Sequence, residues 1–66
     1  MVKENDFGSK LKRARERAGL TVRDVSVKAD CSTTAIYNVE NNGTIPSVAF
    51  AQRLAQAVGV ELGKLL

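Results

Sequence analysis

Histidine is absent from this 66-residue chain, and cysteine occurs once. A single thiol cannot close an intrachain disulfide, and without imidazole a metal site of the Cys/His kind cannot be built. Catalytic groupings are missing as well. There is no nucleophile with a base beside it, no glycine-rich phosphate loop and no paired-carboxylate motif. The chain therefore reads as a non-enzyme with no metal, no cofactor and no evident small-molecule ligand. No run approaches the roughly 20 apolar residues of a membrane span, and the opening MVKENDFGSK lacks the apolar core of a signal peptide. A fold that stands without staples fits a reducing compartment, so a cytoplasmic location is expected.

What is present suits one small globular domain, expected to occupy residues 1–66. Hydrophobic residues make up 44% and charged residues 26%, a balance that folds rather than staying disordered. At this length folding buries only about 60% of the surface the unfolded chain exposes, which leaves little room for a deep substrate pocket. The net charge is +3, and its distribution is uneven. Residues 1–19 carry Lys3, Lys10, Lys12, Arg13, Arg15 and Arg17 against Glu4, Asp6 and Glu16, whereas residues 32–46 carry only Glu40. A basic end favours nucleic acid, but helix surfaces rich in Lys and Arg are common. For Lys10, Arg13 and Arg17, which share one face, solvation is the better account.

The apolar residues recur at helical spacing throughout. Phe7, Leu11, Ala14 and Ala18 form the stripe of a first helix ending at Gly19. Thr21-Val-Arg-Asp24 has the form of a capping box, followed by Val22, Val25, Ser26 and Ala29 on one face of a short second helix. After Asp30-Cys31, Ser32 is the next N-cap candidate. Ile36 and Val39, with Ala35 beside them, anchor a third helix that stops at Asn-Asn-Gly-Thr. Pro46-Ser47 opens a fourth, with Val48, Phe50, Ala51, Leu54, Ala55 and Val58 expected inward, and Gly59 closes it. VELGKLL gives a last short turn. The expectation is an all-α, compact four- to five-helix bundle, in which helices two and three are joined tightly enough to form a helix-turn-helix over about 21–42.

GLTVRDVSVKADCSTTAIYNVENNGTIPS, followed by LAQAVGVELGKLL, resembles the lambda/Cro repressor-like, Xre-type helix-turn-helix family from about Phe7 to Leu66. The resemblance implies a sequence-specific regulator of transcription, a repressor or controller protein, binding double-stranded DNA as a homodimer on a palindromic operator. It implies that helix three enters the major groove and reads bases through Thr33, Thr34, Tyr37 and Asn38. Phosphate contacts are expected from Thr21, Arg23, Ser32, Asn42 and Thr44, the helix N-termini supplying free backbone N–H groups. Arg15 and Glu40 occupy positions that pair in this family, tying helix one to helix three. Some of Val60, Leu62, Leu65 and Leu66 are expected to complete the core, and for the others a dimer patch and a core-only role stand equally open.

Three departures stand out. Val22 replaces a frequent Gln and cannot donate a hydrogen bond. Asp30 replaces a frequent Gly in the turn, at some cost in strain. The third helix and the loop after it contain no Lys or Arg. Thr, Tyr and Asn are each worse helix formers than Ala by roughly 0.5 kcal/mol, which leaves a solvated face and a base-reading face equally open from the residues; the resemblance favours base reading. Asn pairs with adenine through N6 and N7, and the Thr methyl packs against thymine, so half-sites rich in A·T pairs are expected. The competing reading is a protein-interaction module on the same scaffold, such as an antitoxin or antirepressor-like partner. Cys31, where relatives usually have Val, reads as a small hydrophobe in the turn.

Overall fold

The computed structural model describes residues 6–66; Lys3 and Glu4 lie outside them. Four α-helices follow one another: α1, Phe7–Arg17; α2, Val22–Ala29; α3, Thr33–Asn41; and α4, Val48–Val58. A 3-10 turn over Leu62–Leu65 closes the chain, and there is no strand among the described residues. The all-α bundle expected from the sequence is what the chain forms.

Local chemistry accounts for where each helix begins. Asp6, Thr21, Ser32 and Ser47 each place a side-chain oxygen on the backbone N–H three residues on, satisfying a donor that the helix itself leaves orphaned. At α2 the arrangement is reciprocal: Thr21 accepts from Asp24 N–H at 3.0 Å, and Asp24 accepts from Thr21 N–H at 2.9 Å. The ends are equally explicit. Asp30 closes α2 in the left-handed region at φ 57°, and Cys31 N–H then reaches back to Ser26 C=O at 2.9 Å. Gly59 takes the same conformation after α4 at φ 78°, where it costs nothing because there is no Cβ.

The core joins all four helices and the final turn. Leu11, Val25, Ile36 and Leu54 are fully buried, with Val39, Ala55, Val58 and Leu65 nearly so. Each such Leu or Ile contributes roughly 1.5–3 kcal/mol. α1 packs on α3 and α4, α2 on α3 and α4, and the 3-10 turn on α1 and α4. Gly8 lets α1 come close to α3: a Cβ there would lie 2.1 Å from the carbonyl oxygen of Val39.

Two inward assignments need correction, and one residue left between core and dimer patch is settled. Val48 is 72% exposed, because the first residue of α4 stands a full turn ahead of Ala51, where the helix meets the core. Ala18 is exposed because it caps α1 from beyond its last turn. Leu65, expected as possible dimer surface, is 1% exposed and belongs to the core. Conversely, Gly8 and Ala57 are buried although the apolar stripes did not include them.

Candidate nucleic-acid interface

α3 divides cleanly between two environments. Ile36 and Val39 point into the core, while Thr33, Thr34 and Tyr37 are exposed and Asn38 is half-buried. The inward pair is three apart, and the outward residues fall into the pairs Thr33/Tyr37 and Thr34/Asn38, four apart, so each set keeps to one side of the helix. Asn42 Nδ2–H donates to Asn38 Oδ1 at 2.8 Å, which fixes the Asn38 carboxamide. Thr44 N–H and Asn42 N–H both reach Asn38 C=O, at 3.2 and 3.1 Å. The loop after α3 is thus fastened to the helix it follows.

Beside this face runs an open groove of about 590 Å³ between α1, the start of α2 and α3. Thr21 and Arg23 line it together with Thr33, Tyr37 and Asn41, and Lys12 lines it from α1. Of the residues expected to meet phosphate, the structure therefore brings Thr21 and Arg23 into one groove with the reading helix. Ser32, Asn42 and Thr44 are exposed but lie outside that groove. Ser32 Oγ accepts from Ala35 N–H at 3.1 Å; the N–H groups of Thr33 and Thr34 have no acceptor among the described residues.

The one negative charge of α3 is withdrawn from this surface. Glu40, its side chain 1% exposed, receives Arg15 Nε–H at 2.9 Å and a second Arg15 N–H at 3.0 Å. The third guanidinium nitrogen donates to Leu20 C=O at 2.9 Å. One planar fork thus ties α1 to α3 and to the segment entering α2. The Glu40 hydrogen bonds raise the Arg15 pKa above its ordinary value.

A second fork was not foreseen. Arg53, on α4, donates to Ala29 C=O at 3.0 and 2.6 Å and to Asp30 C=O at 2.6 Å, while lying 5.6 Å from the Phe50 ring centroid. It occupies carbonyls left open at the end of α2 and anchors the turn leading to α3. Nothing in one dimension links a residue on α4 to a turn 23 positions earlier. Cys31, in that turn, is half-buried and packs against the core, and desolvation raises its thiol pKa. It behaves as the small hydrophobe expected, with no activated thiolate.

At the other end of the molecule Val60 and Leu62 are half-buried against the core, and Leu66 is 71% exposed. Among the described residues no group of three or more His, Cys, Asp or Glu could hold a metal ion, and no helix is long and apolar enough to cross a membrane.

Comparison with known proteins accords with this geometry. A family model described as a helix-turn-helix domain matches residues 6–65. No curated protein matches the chain. Among solved structures, the fold is similar to that of the restriction-modification controller protein C.AhdI from Aeromonas hydrophila, with a TM-score of 0.85 and 23% identity over 91% of each chain. With α2, its turn and α3 at the centre of a match that spans nearly all its length, the chain belongs to the helix-turn-helix domain family and is a helix-turn-helix DNA-binding domain.

Proposed function

We propose that the protein regulates transcription, as a repressor or controller, by reading a palindromic operator as a homodimer, with α3 in the major groove. The observation that carries this reading is the outward face of α3. Thr33, Thr34, Tyr37 and Asn38 sit together there, while the helix's own carboxylate is neutralised and buried beneath them. Base contacts specify and phosphate contacts position, so a reading helix needs hydrogen-bonding side chains more than it needs positive charge. Asn38, held through its oxygen by Asn42, presents N–H donors and retains a second lone pair on that oxygen for an adenine edge. Thr21 and Arg23, on the groove beside α3, suit one phosphate strand, and Ser32, Asn42 and Thr44 suit the other flank of the helix. Val60, Leu62 and Leu66 remain as the dimer patch.

The test is selection from a random duplex pool at about 100 mM salt, where a weak electrostatic term keeps non-specific background low. Enrichment of a palindrome with half-site centres about 34 Å apart is the expected result. A pool that stays random under these conditions would remove the operator reading.

One observation favours a second reading. α3 and the loop to Pro46 contain no Lys or Arg, as suits a face that meets a protein. Asn38→Ala separates the two: it shifts base preference in a DNA reader and leaves the affinity of a protein partner unchanged.

A further inference from the structure

The basic residues of α1 are divided between two sides of the helix. Lys10, Arg13 and Arg17 border a groove with Gly59, Val60 and Lys64. Lys12 and Arg15 line the groove beside the reading helix. At about 100° of helix per residue the two sets lie half a turn apart. Solvation, the explanation adopted from the sequence for the first set, does not extend to Lys12. This residue stands across a groove of about 590 Å³ from Thr21, Arg23, Thr33 and Tyr37.

The charges in that groove can be followed one by one. Its carboxylate, Glu40, is taken by Arg15 in an ion pair. That pair cancels, and it leaves Lys12 and Arg23 as the remaining cations lining the groove. The side chain of Val22, between Thr21 and Arg23, adds no polar atom to the wall. α3 and the loop after it have no cation at all. A duplex seated on α3 therefore meets positive charge in this groove, from two walls that belong to different helices.

From this placement we infer that Lys12 is a phosphate-binding residue, which with Arg23 holds one backbone segment of the DNA in the groove between α1 and α2. The inference rests on the DNA-reading proposal but does not require an operator, because a phosphodiester is the same at every base pair. Lys12 thus positions the duplex and Thr33, Thr34, Tyr37 and Asn38 interrogate it. Helix one, otherwise a packing element, contributes directly to binding.

The experiment is equilibrium binding of the whole chain to a mixed-sequence duplex across a salt series, for the wild type, Lys12→Gln, Lys12→Arg and Arg13→Gln. Lys12→Gln and Arg13→Gln each remove one positive charge from an exposed position of α1, and circular dichroism verifies that both still fold. Losing one phosphate contact should lower the slope of log K against log salt by about 0.9 per subunit, and affinity by roughly eightfold at 0.1 M salt. That change is expected for Lys12→Gln; Lys12→Arg and Arg13→Gln should keep the wild-type slope. A wild-type slope in Lys12→Gln overturns the inference. So does an equal change in Lys12→Gln and Arg13→Gln, which would mean that only total charge counts. Because the probe needs no base reading, failure to select an operator would defeat the base assignments and leave this result standing. Absence of any duplex binding at low salt would overturn both.

Discussion

Glu40 shows how a single residue can endanger the function of the surface that carries it and still be indispensable. An acid beside DNA repels phosphate, yet this one is held by two Arg15 N–H donors and is almost wholly buried. Removing its partner leaves a buried carboxylate without compensation, so Arg15→Ala should lower stability by roughly 2–3 kcal/mol in urea unfolding. It should weaken DNA binding as well, since the charge then faces the groove. Asp24 is an exposed carboxylate with a different task. Its hydrogen bonds with Thr21, the backbone N–H first, hold its pKa below the ordinary aspartate value. A lowered native pKa means that the contribution is full above the unfolded value, about pH 4, and is lost as pH falls through the native one. The thermal midpoint should therefore fall less steeply below pH 4 in Asp24→Asn than in the wild type, and start lower at pH 7. An unchanged acid limb would mean that the capping box does not couple folding to protons.

Between residues and whole molecule, the helices are placed by features of two kinds. Caps and stops are local, and they were legible: Thr21 with Asp24, Ser32, Ser47, Asp30 and Gly59 all act within a few positions of where they stand. Their physics lies in the backbone they terminate, so composition and spacing reveal them. Of the features acting across space, the Arg15–Glu40 pair was legible only through the family resemblance, and the others were not. Arg53 on the end of α2, Gly8 under Val39 and Lys12 facing Arg23 depend on which helices become neighbours. Val48 and Ala18 erred for a related reason: a stripe tells which side of a helix is apolar, not how far along it the core reaches. Gly8→Ala offers a direct test of close approach. Alanine is the better helix former by about 1 kcal/mol, but its Cβ would meet the Val39 carbonyl. We expect a net loss of roughly 1–3 kcal/mol in stability, read from the denaturant midpoint, with Gly63→Ala, which meets nothing, close to neutral. Asp30 is the opposite case. It holds φ 57°, which glycine adopts without a Cβ penalty, and Arg53 grips its backbone carbonyl rather than its side chain. Asp30→Gly should thus stabilise by about 0.5–1 kcal/mol, read as a higher melting temperature with DNA affinity retained.

At the scale of the whole molecule, charge is concentrated away from the surface that reads. With cations confined to the flank of α3, roughly 2–4 phosphate contacts per subunit are expected, and hence a slope of log K against log salt of about −2 to −4 per subunit. Isotherms between 50 and 200 mM salt measure it; a much steeper dependence would place more of the α1 cations on the DNA than the groove accommodates. The Thr and Asn side chains also predict half-sites rich in A·T pairs, and G-rich selected sites would displace the base assignments while leaving the fold untouched. The reading face has one further property. None of Thr33, Thr34, Tyr37 or Asn38 belongs to the packed core, which takes Ile36 and Val39 from the same helix. The address is written on the outside of a scaffold that stands without it. A lineage can exchange those four letters singly, remaining folded at every step, and so drift from one operator to another without crossing a gap of inviable forms.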